Sequence, residues 1–179
     1  HGYNYSFTDS EFYGLPFEVN DFISMEGVKD YMNSICKFKP RSYQVEGVYD
    51  ALRHNRKLLI SPTASGKSLM IYSIVRYFVE KGKNTLIVVP TTSLVEQMYK
   101  DFADYGWDVG SFCHKIYAGK ERETDSQVII TTWQSIYKLP RKYFERFSVV
   151  VGDEAHQFKS KSLVSIMTKL ADAKYRYGF

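Results

Sequence analysis

The chain has 179 residues, with 24 Lys and Arg against 20 Asp and Glu and a formal charge of +4, a length that holds one α/β domain plus a small extra segment and makes two full domains a squeeze. That charge, with an isoelectric point near 8.9, permits a polyanionic partner without requiring one. The cysteines, Cys36 and Cys113, lie far apart and outside any C-x-x-C pair, which argues against a disulfide framework or a zinc site.

Residues 1–37 differ in composition from the rest. Tyr3, Tyr5, Phe7, Phe12, Tyr13, Phe17 and Phe22 crowd the start, and Met25, Val28, Met32 and Ile35 follow at helical spacing, which predicts a small helical appendage packed on the main domain. From residue 38 onward helices alternate with short apolar strands. Val45, Val48, Tyr49 and Leu52 stripe a helix over 41–54, and "KLLIS" is a strand leading into "SPTASGKS" at 61–68. The helix opened by Lys67 is apolar nearly all round, as a buried helix is, and Gly82 stops it. "TLIVVP", "HKIYAG", "VIITTW", "SVVVGD" and "KYRYGF" are further strands. Val95, Met98, Tyr99 and Phe102 stripe one helix between them, and Leu163, Ile166, Met167 and Leu170 stripe the last. The polar stretch 119–127 reads as an exposed loop. Continuous apolar strands between helices predict an α/β fold in three layers with a mostly parallel central sheet.

The apolar runs are far short of the about 20 residues that cross a bilayer, so no membrane partner is expected. No signal-peptide pattern opens the chain, which predicts a cytoplasmic location. The first residue is His1 and the last stretch is "YRYGF", which reads as a piece trimmed from a longer protein.

The stretch "SPTASGKS" matches the phosphate-loop pattern except that Ser61 replaces its first glycine. Such a loop works because consecutive backbone N–H groups and a helix N-terminus point at phosphate oxygens. Here Thr63, Ala64, Ser65 and Gly66 would supply the cradle, Lys67 the cation and Ser68 a hydroxyl for Mg²⁺. "VVVGDEAH" at 149–156 ends a buried strand on two carboxylates. Asp153 would hold the metal and Glu154 would activate water, the work an ATPase needs. His156 fits no zinc set among the scattered histidines and is assigned a catalytic coupling role. Gly152 interrupts the apolar run and is expected to loosen that strand end.

Together, "SPTASGKS" and "DEAH" resemble motifs I and II of superfamily 2 helicases and translocases. "PRSYQ" at 40–44 resembles their adenine-recognition element, which implies that Gln44 meets the adenine edge and that Arg41 supports it. "VPTTSLVEQ", "AGK" and "TTWQS" resemble the family's nucleic-acid-facing motifs. The resemblance implies backbone contacts from Thr91, Thr92, Ser93, Gln97, Gly119, Thr131, Thr132, Gln134 and Ser135, a residue set suited to phosphate oxygens. Within the superfamily, "IVVPTTSLVEQM" and "TTWQSIYKLPRKYFERF" are similar to the branch-migration and recombination helicases of T-even-type bacteriophages. The implied protein is an ATP- and Mg²⁺-dependent motor that remodels branched DNA or R-loops in recombination, repair and replication.

On this resemblance residues 38–179 are a first RecA-like P-loop domain. The chain closes before motif III and before a second such domain that brings arginine fingers, so it is expected to bind nucleotide yet hydrolyse it poorly. Other readings stay open at this point. A restriction or remodelling translocase shares every one of these motifs. A docking module would leave Lys67, Ser68, Asp153 and Glu154 without a use, and a tRNA prenyltransferase shares the phosphate loop but needs neither Gln44 nor the acidic pair.

Overall fold

Helix ends in this chain follow its capping residues. The structure, a computed structural model, describes residues 18–59, 66–117, 123–154 and 161–179, save the side chains of Ser162 and Leu163. Helix α1 (Met25–Ile35) starts where the Ser24 hydroxyl accepts from the Gly27 N–H at 3.1 Å, a side-chain cap of the usual kind. Helix α2 spans Ser42–Arg53, within the predicted stretch. Helices α3 (Lys67–Glu80) and α4 (Thr92–Asp104) both end on a glycine at positive φ, Gly82 at 69° and Gly106 at 109°. After each the chain turns back, Lys83 N–H to the Phe78 carbonyl at 2.9 Å and Trp107 N–H to the Phe102 carbonyl at 3.2 Å. Those bonds satisfy carbonyls that a helix end leaves open.

The six apolar runs are six strands: β1 (Arg56–Leu58), β2 (Thr85–Val89), β3 (Cys113–Ile116), β4 (Val128–Thr132), β5 (Val149–Gly152) and β6 (Tyr175–Gly178). They form one sheet in the order β1-β6-β5-β2-β4-β3, parallel at every pairing. Successive strand residues point to opposite faces, and here both faces are covered. On β2, Ile87 and Val89 join one apolar cluster while Leu86 and Val88 join the other; on β5, Val149 and Val151 oppose Val150. The first cluster packs under α1 to α4 and a short α5 (Val109–Phe112), and the second under α6 (Trp133–Ile136), α7 (Arg141–Phe144) and α8 (Lys161–Lys169). The result is the three-layer α/β arrangement expected.

Three details depart from the sequence reading. Strand β1 begins at Arg56 and ends at Leu58, earlier than the "KLLIS" stretch suggests. Gly152 does not loosen its strand: Asp153 N–H reaches the Val88 carbonyl at 3.0 Å and Phe179 N–H the Gly152 carbonyl at 2.9 Å, so ladder bonds hold it on both sides. The polar loop is not free at its end, because the Arg146 guanidinium donates to the carbonyls of Thr124 at 2.5 Å and Ser126 at 2.8 Å. Helix α1 packs on the main core, with Val28 and Met32 buried in the first cluster and the Tyr72 hydroxyl donating to the Ile35 carbonyl at 2.7 Å. Phe22 by contrast is 99% exposed, and the aromatics at positions 3–17 lie outside the described residues.

This topology sets the site. Strand β6 stands between β1 and β5, so the strand entering the phosphate loop and the strand ending in the acidic pair are not neighbours. Their ends are nonetheless level, since Leu58 pairs with Gly178, Gly178 with Gly152 and Gly152 with Val88. In open parallel sheets, ligands bind beyond these carboxyl ends.

Candidate nucleotide site and the loops beside it

Gly66 turns the chain into α3. Its φ of 75° lies in the left-handed region, where a side chain costs about 1–2 kcal/mol. A Cβ there would also stand 2.3 Å from Gln44 Nε2. Gln44, 5% exposed, ties two candidate segments together. Its Oε1 accepts from the Arg41 N–H at 2.9 Å, and its Nε2 donates to the Gly66 carbonyl at 3.3 Å. The Arg41 side chain is exposed and donates to the Tyr43 hydroxyl at 3.2 Å. Gly66→Ala is therefore expected to lower stability by about 1–2 kcal/mol, roughly 2–8 °C in melting temperature. A thermal melt matching wild type would show that this turn relaxes without strain.

From the other side comes the acidic pair. Asp153 follows β5 and is 9% exposed; burial pushes its carboxyl above the ordinary value, while the Glu154 N–H and the Lys67 ammonium pull it down. Glu154 has φ 55°, a left-handed conformation that non-glycine residues rarely adopt. That bend accompanies a bond from its N–H to Asp153 Oδ1 at 3.0 Å. Its own carboxylate meets Lys67 Nζ at 3.4 Å. Residues 87 positions apart are thus joined across the strand ends.

These groups suit a nucleotide with its metal. Ser68 and Asp153 offer hard oxygen donors, the type Mg²⁺ takes, and a half-desolvated carboxylate is relieved by a cation. Among the described residues no three His, Cys, Asp or Glu side chains cluster as a metal site, so a cation held here would complete its shell with phosphate oxygens and water. The sequence did not single out Tyr105, whose hydroxyl meets the Ser68 hydroxyl at 2.6 Å. No residue spacing marks that partnership; a tyrosine ahead of a helix-ending glycine is the nearest signal. Thr63, Ala64, Ser65 and His156 lie outside the described residues.

The remaining described candidates lie at or beyond the same carboxyl ends of the strands. Thr91 caps α4, its hydroxyl accepting from the Leu94 N–H at 3.3 Å and lying 3.0 Å from that of Ser93. Thr91, Thr92, Ser93 and Gln97 are exposed, and Gln97 donates to Asp101 at 2.6 Å. Val89 pairs with Thr132 across β2 and β4, which brings the start of α4 beside "TTWQS". There the hydroxyls of Thr132 and Ser135 lie 2.9 Å apart, and Gln134 is exposed. Both threonines of the motif are buried, Thr131 fully and Thr132 at 4% exposure; Thr131 departs from its expected role, because its hydroxyl donates to the Thr132 carbonyl at 3.1 Å. Gly119 lies outside the described residues. Among the described residues no helix is long and apolar enough to cross a membrane.

Comparison with known proteins agrees with this fold. Residues 37–179 match the family model described as "Type III restriction enzyme, res subunit". The ATP-dependent DNA helicase uvsW of Enterobacteria phage T4 is 35% identical over 148 residues, 79% of this chain and 29% of that protein. The DNA 3'-5' translocase XPB2 of Sulfurisphaera tokodaii is 31% identical over 143 residues, 79% of this chain and 30% of the relative. The chain thus spans less than a third of the length of these two curated relatives. A crystal structure of the UvsW helicase from bacteriophage T4 superposes with a TM-score of 0.82 at 30% identity, covering 90% of this chain and 61% of that one. The Sulfolobus solfataricus SWI2/SNF2 ATPase core in complex with dsDNA shares the fold, with a TM-score of 0.66 at 18% identity.

Proposed function

Because this chain belongs to the "Type III restriction enzyme, res subunit" family and is an N-terminal RecA-like domain of the superfamily 2 helicase type, we propose that it is the ATP-binding motor domain of a helicase that remodels branched DNA or R-loops. The observation that carries this reading is the meeting of Lys67 and Glu154 at 3.4 Å, with Ser68 and Asp153 adjoining them. Lys67 neutralises phosphate charge, Ser68 and Asp153 hold the divalent cation, and Glu154 takes the proton of the attacking water. Bound Mg²⁺ would supply charge neutralisation at the phosphates. Gln44 and Arg41 face the base end, the loop through Thr63, Ala64, Ser65 and Gly66 cradles the phosphates, and His156 links the acidic segment to its surroundings.

Residues 38–179 form the motor domain and residues 1–37 an appendage, and a second RecA-like domain completes the engine. Nucleic acid is gripped through its phosphate backbone by Thr91, Thr92, Ser93, Gln97, Gly119, Thr132, Gln134 and Ser135. Hydroxyl and amide contacts of that kind hold a backbone without reading bases, as translocation demands. The role proposed is one in phage recombination, repair and replication in the host cytoplasm, and the similarity to a DNA helicase of phage T4 is consistent with a phage origin. The family name favours a second reading, a restriction translocase, in which plain duplex would stimulate as well as branched DNA.

The test is Mg-ATP turnover by the full-length protein, with its second RecA-like domain, in the presence and absence of forked duplex, plain duplex and a three-stranded R-loop. Stimulation strongest with the branched substrates is expected, and turnover indifferent to every nucleic acid would remove the helicase reading while leaving the nucleotide site. On a finer scale, Thr132→Ala is expected to weaken fork binding about twofold to tenfold, the loss of one hydrogen bond, with nucleotide affinity unchanged. The reverse pattern, measured by anisotropy with both ligands, would move Thr132 out of the nucleic-acid track.

A further inference from the structure

Tyr105 closes α4, and separate contacts hold it in place. Its ring lies 5.2 Å from that of Tyr72, which is fully buried, and 6.1 Å edge-on from that of Phe38. Its carbonyl accepts from the Lys37 N–H at 3.1 Å. The left-handed Gly106 follows directly, with the Lys37 side chain so close that a Cβ there would stand 3.1 Å from Lys37 Cε. From this fixed base the Tyr105 hydroxyl reaches the Ser68 hydroxyl at 2.6 Å.

A hydroxyl carries one proton and two lone pairs. When serine gives a lone pair to a divalent cation, its proton must point away from that charge, and a hydrogen-bond partner behind a metal ligand commonly fixes this orientation. Among the described residues, the side chain that meets the Ser68 hydroxyl is Tyr105. We propose, resting on the site reading above, that Tyr105 is a positioning residue for the metal: its phenolic oxygen accepts the Ser68 proton and turns the Ser68 lone pairs toward the cation that accompanies the nucleotide. Tyr105 itself touches neither the nucleotide nor the reacting atoms. Lys37 and Phe38, which hold it, run directly into Arg41 and Gln44, so one short segment supports both the metal end and the base end of the site.

Tyr105→Phe keeps the ring against Tyr72 and Phe38 and removes the hydroxyl. Binding of a fluorescent methylanthraniloyl-ATP is followed by anisotropy, first in EDTA and then through a Mg²⁺ titration. The variant is expected to match wild type in EDTA and to need about tenfold more Mg²⁺ for half-maximal tightening. An unchanged midpoint overturns the proposal. So does a lower one, which would make Tyr105 a latch that withholds Ser68. An equal loss in EDTA and in Mg²⁺ also overturns it, by assigning the hydroxyl a packing role. Ser68→Ala gives an independent arm: adding Tyr105→Phe to it should shift the midpoint no further, because the two act through one bond, and additive shifts count against the idea. If wild type binds no nucleotide in any condition, the reading of the site falls first and this inference falls with it.

Discussion

Glu154→Gln is expected to cut ATP turnover by about 10²–10⁴-fold, the usual contribution of a positioned general base, while nucleotide binding survives. Gln keeps the shape of the side chain and the same left-handed backbone demand at φ 55°, so the fold has no new reason to fail. What disappears is the negative charge beside Lys67, which sits 3.4 Å away. Losing that partner leaves the ammonium more available to phosphate, so binding should hold or tighten slightly. The split between the two readouts is the point. Turnover is measured on the full-length protein with its second RecA-like domain, with and without forked DNA, and binding by the rise in melting temperature that a ligand of the folded state must produce. A variant that still turns over at the wild-type rate would transfer the base role to another group, with His156 the next candidate.

Some of this architecture was legible for a simple physical reason. A strand buried on both faces has no polar side to display, so Thr85–Val89, Val128–Thr132 and Val149–Gly152 announce themselves as apolar runs. The glycine stop at Gly82 was equally plain, since the turn there needs positive φ. Four-residue helices such as Trp133–Ile136 were not, because one turn is too short to display a 3.6-residue period. That short turn matters, for it follows directly on Thr131 and Thr132, both buried, and brings the Ser135 hydroxyl within 2.9 Å of that of Thr132. The anchoring of Thr124 and Ser126 by Arg146 escaped notice because it joins residues 20 and 22 positions apart. In the site, Gly66, Lys67, Ser68, Asp153 and Glu154 stood out because phosphate chemistry fixes their types and order. Tyr105 did not, since a contact made across the packing of two helices leaves no local pattern.

Lys67→Ala should abolish the thermal shift produced by Mg-ATP and lower nucleotide affinity by at least about 10-fold to 100-fold, as expected for charge-assisted bonds to phosphate. The unliganded fold should be nearly indifferent, and the reason lies in where the lysine sits. Lys67 is the first residue of α3, where the helix dipole disfavours a cation by about 0.3–1 kcal/mol. Alanine removes that penalty and has the best helix propensity. Against this stands the loss of the pair with Glu154, a 3.4 Å contact between side chains 20% and 32% exposed. Pairs this open to solvent are worth about 0–1 kcal/mol. The two effects are of the same size and opposite sign, so the unliganded melting temperature should move by less than about 4 °C. A cation with no net structural use at a helix N-terminus is explained by a ligand that needs it. If the variant collapses instead, Lys67 is holding the strand ends together through Glu154; if it keeps the full nucleotide shift, the phosphates are bound elsewhere.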